Sequence, residues 1–330
     1  MEQIRELLSG VFNFHWEYLI MYAIGGLLIY FAIAKDYEPA LLLPIGFGAI
    51  LVNLPLNVVW ASADGAPGVL QVLYNSGIVT ELFPCLIFIG IGAMTDFRPL
   101  FQNPRMAFFG AAAQFGIFFT IIAVLGVSKL FPGIGFTFLE AVSIGIIGAA
   151  DGPTSIVVAN YFGTKYIGAI IVAAYSYMAL VPIVQPACIR LVTTKKERGI
   201  RMHYDGGQVS QRTKIIFPIA VTVIAGIFAP RSVALVGFLM FGNLIRECGV
   251  LKSLSESAQH ELANLITLFL GITVASKMRA EYFMTPDTIL ILLLGLVAFV
   301  FDTIGGVLFA KFLNLFVKNK INPMVGAAGI

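Results

Sequence analysis

Charged residues are scarce in this chain. Only 12% of its 330 residues are Asp, Glu, Lys or Arg, whereas soluble domains carry about 25%, and 58% of the chain is hydrophobic. A soluble protein of this size would have too few polar side chains to cover its surface. The net charge of +3 is small and dispersed, which argues against a nucleic-acid partner. The composition therefore predicts an integral membrane protein.

Motifs of several enzyme classes are also missing. The three cysteines, Cys85, Cys188 and Cys248, form no CxxC pair and lie in or beside apolar segments, so we expect packing roles and no disulfide framework. The three histidines lack ligand spacing such as HExxH, and we expect no bound transition metal. No phosphate-binding loop, dinucleotide fingerprint or cleavable signal peptide is evident. Energy for any transport is then expected from an ion gradient or from chemistry brought by a partner.

Apolar runs follow one another along most of the chain. A helical span needs ~20 mainly apolar residues, and runs free of charged residues and histidine predict ten, with an eleventh beginning near Ile321. We therefore expect an all-α, polytopic helical membrane protein with about ten to eleven spans. The predicted spans are 18–34, 39–56, 81–95, 106–128, 138–162, 166–189, 215–230, 232–245, 262–276 and 288–311.

One strongly basic segment separates the spans into two halves. Between Arg190 and Lys214, seven Lys and Arg residues stand against two acidic residues, and the positive-inside rule predicts a cytoplasmic loop at 190–214. Residues 1–189 then form a first transmembrane half and residues 215–330 a second one. Because six predicted spans precede the loop, we expect a cytoplasmic N-terminus as well, unless the fifth segment does not simply cross.

The two halves share a pattern that suggests an inverted repeat. In each half a short span ends in a polar motif, at 89–98 and at 241–247, and a later segment of small residues carries a polar group beside a proline. These later segments are 148–153 (GAADGP) and 322–329 (NPMVGAAG). Paired segments interrupted by glycine and proline are typical of helices that break at the membrane midplane of transporters, where the transported ion binds.

Asp151, in the first of these segments, is the leading candidate for the functional centre. A charged side chain at mid-bilayer costs ~2.5–3.5 kcal/mol even on the milder scales. Pro153 lacks an N–H and breaks the helix, which frees carbonyl oxygens, and Thr154 and Ser155 add hydroxyl groups. This set of hard oxygens suits Na⁺ or a proton. The alternative is that Asp151 caps a half-helix, and both roles are compatible.

Other polar groups in apolar runs are further candidates. Asn322 supplies a neutral oxygen in the second broken segment, and Gly326 permits close backbone approach. Asp302 is either a second ion or proton group, or a partner of Lys311 or of a donor on a neighbouring helix. Tyr177 lies near the middle of a predicted span, where its hydroxyl can donate a hydrogen bond inside the membrane.

Five long motifs resemble those of one family. They are 148–157 (GAADGPTSIV), 173–186 (AAYSYMALVPIVQP), 241–250 (FGNLIRECGV), 301–311 (FDTIGGVLFAK) and 322–329 (NPMVGAAG). In this order they resemble the β subunit of biotin-dependent, sodium-pumping decarboxylases, which act on oxaloacetate, methylmalonyl-CoA or glutaconyl-CoA. The resemblance covers essentially the whole chain.

The resemblance implies a function and partners. In that family a soluble subunit moves a carboxyl group from the substrate to biotin, and the β subunit then decarboxylates carboxybiotin and exports Na⁺ while a proton is consumed. The implied cofactors are Na⁺ and a carboxybiotin carried by a partner. The implied partners are a biotin-carrying carboxyltransferase α subunit and a small membrane γ/δ subunit. The resemblance also implies an elevator-like homotrimer of β subunits, multi-pass in the prokaryotic inner membrane.

The family's essential residues fall on motif positions of this chain. Its membrane Asp matches Asp151, its Tyr matches Tyr177, and its Asn and Gly of the later broken helix match Asn322 and Gly326. Asp151 is therefore expected to be both a catalytic residue and a Na⁺ ligand. The expected site comprises Asp151 and Tyr177 as catalytic residues, Asp151 and Asn322 as Na⁺ ligands, and Gly326, Thr154, Ser155 and Asp302 as further candidate ligands.

This chain departs from the family pattern at one point. The pattern continues beyond Gly329 with a functional Ser and an Arg, so the second transmembrane half is expected to be C-terminally incomplete. The alternative function is a Na⁺- or H⁺-coupled symporter of small organic anions without chemistry. Only the motif resemblance separates the two functions.

Overall fold

The described part of the chain is all-helical. The computed structural model describes residues 8–61, 65–102, 104–130, 135–202, 209–317 and 320–329. Within these residues no β-strand occurs, and a single isolated bridge joins Ala61 and Pro67. The predicted all-α class is therefore confirmed.

Helices of very different lengths build the molecule. In chain order they are α1 (Glu17–Lys35), α2 (Pro39–Val52), α3 (Val69–Leu73), α4 (Leu82–Met94), α5 (Ala107–Ala113), α6 (Phe115–Leu130), α7 (Phe138–Gly145), α8 (Gly152–Phe162), α9 (Ile167–Val192), α10 (Gln211–Phe228), α11 (Val233–Glu247), α12 (Lys252–Ser257), α13 (Ala263–Val274) and α14 (Pro286–Leu313). Single helical turns lie at Ser9–Phe12, Arg98–Gln102, Lys195–Arg198 and Ala280–Phe283. The 3₁₀ turns are Pro104–Met106, Ile146–Ala149, Pro230–Ser232, Ala275–Lys277 and Pro323–Gly329, and the π-helical turns are Tyr74–Val79 and Ala258–Leu262.

Five helical stretches of the described chain are long and apolar enough to cross a membrane: α1, α5 with α6, α9, α10 and α14. A sixth arises if Val69–Val79 and Leu82–Met94, which are bent by 61°, count as one span. The expected total of ten to eleven spans is therefore not confirmed. The reason is helix length: α2 has 14 residues and α13 has 12, so they are about 21 and 18 Å long, shorter than the ~30 Å hydrocarbon core.

The basic segment defines one end of the helical bundle, which we call the basic end. Lys311 Nζ, near the end of α14, lies 3.0 Å from Glu197 Oε1 in this segment. Lys214 Nζ, at the start of α10, lies 3.4 Å from Glu247 Oε2 at the end of α11. Helices α9, α11 and α14 therefore end, and α10 begins, at the basic end.

The N-terminal helix begins at the other end, which we call the opposite end. The Tyr22 hydroxyl in α1 donates to the Asn53 carbonyl at 3.0 Å, and Asn53 Nδ2 donates to the Met278 carbonyl at 2.7 Å. The Ala280 N–H, just before α14, donates to Asn53 Oδ1 at 2.8 Å. Because α14 has 28 residues, about 42 Å of helix separates this end from the basic end. We expected the N-terminus on the side of the basic segment, whereas α1 begins at the opposite end.

A helical hairpin explains this difference. Phe136, just before α7, lies edge-on to Tyr166, just before α9, with ring centroids 5.3 Å apart. Helices α7 and α8 thus enter and leave at the opposite end and meet at a tip formed by Ala150 and Asp151, where Ala150 is left-handed with φ +49°. The fifth predicted span is broken at Asp151, as expected, but it does not cross the bundle from one end to the other. The number of crossings before the basic segment is therefore one lower than predicted.

The second broken segment approaches from the basic end. Asn322 Nδ2 donates to the Arg198 carbonyl at 3.0 Å and to the Ile200 carbonyl at 3.1 Å. The helices before the two broken segments, α6 and α14, run antiparallel: Phe119 in α6 stacks on Phe301, and Phe109 in α5, which leads into α6, lies against Phe309 near the end of α14. Each half therefore has a helix followed by a broken segment, and the two units point in opposite directions, as an inverted repeat predicts.

The motifs at 89–98 and 241–247 do not belong to that inverted relation. They end α4 and α11, which run parallel and touch backbone to backbone at Gly92 and Gly242. A Cβ atom on Gly92 would collide with the Leu239 carbonyl, and one on Gly242 with the Ile89 carbonyl. Asn243 Nδ2 also donates to the Thr95 carbonyl at 2.9 Å.

We expect Gly242→Ala to destabilise the protein, because its methyl group would force α11 away from α4 at a cost of about 1–3 kcal/mol. The measurement is the melting temperature of the purified chain in detergent. Gly237→Ala is the matched control on the same helix, since the nearest atom to a Cβ there is 3.6 Å away. Equal melting temperatures for the two variants would contradict the predicted backbone contact.

The sidedness of the bundle is testable with cysteines. Asn13, before α1, and Lys196, in the basic segment, are both exposed. In a background where Cys85, Cys188 and Cys248 are replaced by Ser, we expect Asn13→Cys and Lys196→Cys to react with a membrane-impermeant maleimide from opposite sides of oriented vesicles. Labelling of both positions from one side would refute the hairpin arrangement.

Candidate functional site

Asp151 lies at the tip of the hairpin, where α7 and α8 meet. The Thr154 hydroxyl donates to its carboxylate, and the Ser155 hydroxyl donates to its backbone carbonyl at 2.9 Å. No backbone N–H in the first turn of α8 makes a well-aligned hydrogen bond with the Asp151 carboxylate. The Thr154 N–H also interacts with this carboxylate, so a capping role and an ion-binding role are both compatible with the geometry.

The break at the tip has a local cause. Helix α7 begins with a capping box between Thr137 and Glu140 and tightens into the 3₁₀ turn Ile146–Ala149. The left-handed Ala150 then reverses the chain, and Pro153 starts α8. The carbonyl end of one helix and the N–H end of the next thus meet, which favours a cation beside the first and a carboxylate beside the second.

The tip lies deep in the bundle. Helix α8 has 11 residues, so Asp151 is about 16 Å along the helix from the turn that leads into α9, roughly half of a ~30 Å hydrocarbon core. The residue is partly exposed, whereas the neighbouring Gly152 and Ser155 are buried. The tip therefore offers a carboxylate and a hydroxyl to a small cation near mid-depth.

Tyr177, the tyrosine expected from sequence, links two helices. Its hydroxyl donates to the Leu292 carbonyl of α14. The tyrosine that lies at the tip is Tyr175, two residues earlier and on another side of α9, with its ring against Gly152. Sequence reasoning missed Tyr175, and the available signal was the glycine after Asp151, which leaves room for a neighbouring ring.

Asp302 lies behind the tip, in α14, and is fully buried. Its Oδ1 accepts the N–H of Gly116 in the first turn of α6 at 2.5 Å. Its Oδ2 has no hydrogen-bond partner among the described residues and faces Gly148, where a Cβ would lie 2.8 Å away. Lys311 is engaged with Glu197 instead. Of the predicted partners of Asp302, the neighbouring-helix donor is the one observed.

The second broken segment is anchored at the basic end. Besides the two bonds of its amide nitrogen, Asn322 accepts the Met324 N–H at 3.0 Å through Oδ1. Gly326 packs directly on the Gly306 carbonyl of α14, and Gln185 Nε2 donates to the Ala327 carbonyl at 2.9 Å. In the described ranges no hydrogen bond joins Asn322 to the hairpin tip, so their joint action on one ion stays a prediction.

The basic segment, to which Asn322 is hydrogen-bonded, is itself stabilised by an ion pair between Glu197 and Lys311. Thr194 N–H donates to the Glu197 carboxylate at 2.7 Å, and this bond, together with Lys311, lowers the pKa of Glu197 to about 2. Glu197 is therefore ionised at any physiological pH and keeps the end of α14 beside the basic segment. A transition-metal site was not expected, and the residues covered by the structure bring together no group of three His, Cys, Asp or Glu side chains.

Comparisons with known proteins identify the family of the chain. A family model described as the Na⁺-transporting oxaloacetate decarboxylase beta subunit matches residues 17–330. The oxaloacetate decarboxylase beta chain 2 of Salmonella typhi is 42% identical, over 100% of this chain and 88% of its own length. The methylmalonyl-CoA decarboxylase beta subunit of Propionigenium modestum is 46% identical, over 98% of this chain and 85% of its own.

A third relative has the same range of similarity. The methylmalonyl-CoA decarboxylase beta subunit of Veillonella parvula is 46% identical, over 98% of this chain and 82% of its own length. The similarity thus includes both broken segments and the helices between them. The chain therefore belongs to the family of Na⁺-transporting oxaloacetate decarboxylase beta subunits and is a membrane subunit of a decarboxylase-coupled sodium pump.

Proposed function

We propose that this chain decarboxylates carboxybiotin carried by a partner subunit and couples the reaction to Na⁺ export through the Asp151 site. The observation that carries the proposal is a single partly open carboxylate at the tip of a broken hairpin, near mid-depth, with a hydroxyl as its hydrogen-bond donor. A carboxylate held between two helix ends binds a small cation through oxygen, which is the coordination that Na⁺ requires. Family membership favours this function over an anion symporter.

Coupling follows from competition for one carboxylate. Asp151 holds either a proton or Na⁺, because burying both positive charges at the tip is unfavourable. When Na⁺ arrives and displaces the proton, that proton passes to the biotin nitrogen that carries the carboxyl group. The N–C bond then breaks, its electron pair stays with the nitrogen that receives the proton, and CO₂ leaves. Each turnover thus consumes one proton and leaves Na⁺ at the tip.

The remaining candidate residues hold the helices and the broken segments around Asp151 in place. We assign Tyr177 to the contact between α9 and α14, and Gly326 to the close approach of the second broken segment to α14. Asn322 ties that segment to the basic segment in this state, and we propose that it turns to the ion in another state of the cycle. Ser155 stabilises the first turn of α8, and Thr154 is the hydroxyl ligand beside Asp151.

The proposed setting is a complex in the prokaryotic inner membrane. The relatives are named beta subunits of decarboxylases, which supports a biotin-carrying carboxyltransferase α subunit and a small membrane γ/δ subunit as partners. We propose a homotrimer of these chains, with the basic end in the cytoplasm by the positive-inside rule. Carboxybiotin then approaches from the basic end.

Asp151→Asn tests the proposal in the whole complex with its biotin-carrying partner, reconstituted in liposomes. We expect Na⁺-stimulated release of CO₂ to fall by ~100-fold or more, because a neutral amide neither binds Na⁺ tightly nor carries the proton. Asp287→Asn is the matched control, since Asp287 accepts a hydrogen bond from Tyr166 at the opposite end, at 2.7 Å. Full Na⁺-stimulated activity in Asp151→Asn would refute the function.

We propose that Asp302 caps α6 and does not bind Na⁺. Asp302→Ala would leave the buried Gly116 N–H without an acceptor, at a cost of about 1–3 kcal/mol, so we expect a lower melting temperature. Asp302→Asn keeps an acceptor oxygen, and we expect its Na⁺ dependence of CO₂ release to match that of the unmodified complex. A loss in Asp302→Asn as large as in Asp151→Asn would make Asp302 an ion ligand instead.

A further inference from the structure

The Tyr175 hydroxyl is buried without a hydrogen-bond partner in the described part of the chain. The side chain lies in the middle of α9 and is only 1% exposed. A buried hydroxyl without a partner costs about 1–3 kcal/mol, and phenylalanine would fill the same space without that cost. Packing alone therefore does not explain a tyrosine at this position.

The location of the ring points to the hairpin tip. A Cβ atom on Gly152 would lie 2.5 Å from Tyr175 Cζ, the ring carbon that bears the hydroxyl. Gly152 is therefore required at this position, because any side chain would push the hydroxyl end of the ring away from the tip. Asp151 directly precedes this glycine in the chain.

The neighbouring tyrosine has a different environment. The Tyr177 hydroxyl donates a hydrogen bond to the Leu292 carbonyl. The Tyr175 hydroxyl, in contrast, neither donates to nor accepts from any described residue. At the tip, Thr154 is the residue seen to bond the Asp151 carboxylate, through its hydroxyl and its backbone N–H. The Tyr175 ring contacts Gly152, the residue that directly follows Asp151.

We propose that Tyr175 is a second side-chain ligand of the cation at Asp151. When Na⁺ is bound at Asp151, the oxygen of the Tyr175 hydroxyl coordinates the ion. The phenol keeps its proton throughout, so it adds a neutral ligand and leaves the charge balance of the site unchanged. This inference rests on the proposed function, since it adds a residue to the same site.

Tyr175→Phe removes the hydroxyl and keeps the ring. The experiment measures binding of ²²Na⁺ to the purified full chain in detergent, with unlabelled Na⁺ as competitor. We expect the apparent affinity for Na⁺ to fall ~10-fold or more, as is usual when one group that supports a metal site is lost. Tyr22→Phe is the matched control, because it removes one hydroxyl from the Asn53 contact at the opposite end, and we expect wild-type affinity.

Folding is read separately, from the melting temperature without Na⁺. Loss of an unpartnered buried hydroxyl should leave this temperature unchanged or raise it. A lower melting temperature of Tyr175→Phe would mean that the hydroxyl is structural and would overturn the inference. Gly152→Ala is a second variant, which retains the hydroxyl but displaces the ring, and we expect weaker Na⁺ binding there as well.

Asp151→Asn in the same binding assay separates the two proposals. If it abolishes ²²Na⁺ binding while Tyr175→Phe has wild-type affinity, the inference about Tyr175 is wrong and the proposed site stands. If Asp151→Asn binds Na⁺ as the unmodified chain does, the proposed site itself is wrong. Weaker binding in Tyr175→Phe together with loss in Asp151→Asn supports both.

Discussion

A carboxylate inside an apolar helical bundle has to be stabilised by polar groups of the same chain, and the centre of this molecule is built around that constraint. The hairpin tip meets it by bringing two helix ends together at Asp151, with the carbonyl end of a 3₁₀ turn on one side and the first turn of α8 on the other. Thr154 supplies a hydroxyl, and Gly152 leaves room for the Tyr175 ring. In the proposed function, a transported cation binds beside this carboxylate.

Helix α14 connects this tip to the rest of the bundle. It contacts the 3₁₀ turn before the tip through Asp302 and Gly148, and it contacts the second broken segment through Gly306 and Gly326. It also receives the Tyr177 hydrogen bond from α9. Both broken segments therefore pack on the same helix, and each of these contacts involves a glycine.

The two ends of the bundle have different roles. At the basic end, ion pairs and the Asn322 amide hold the second broken segment beside the basic segment. At the opposite end, the hairpin enters and leaves, and α1 begins beside Asn53. The two broken segments thus approach the interior from opposite ends.

Much of this could be predicted from the sequence alone. The helical class, the membrane location and the break at Asp151 follow from apolar runs, a costly carboxylate and Gly-Pro chemistry, all of which are local properties, and the family follows from the resemblance of five motifs. The direction of the helices and the contacts of the buried side chains could not be predicted. A broken segment with the same residues can either cross the membrane or return to the side from which it entered. Only the tertiary structure decided that α7 and α8 form a hairpin, that Asp302 caps α6, and that Tyr175 faces the tip while Tyr177 bonds to α14. These contacts depend on which distant helix lies opposite each side chain, and the hydropathy of a segment does not determine that.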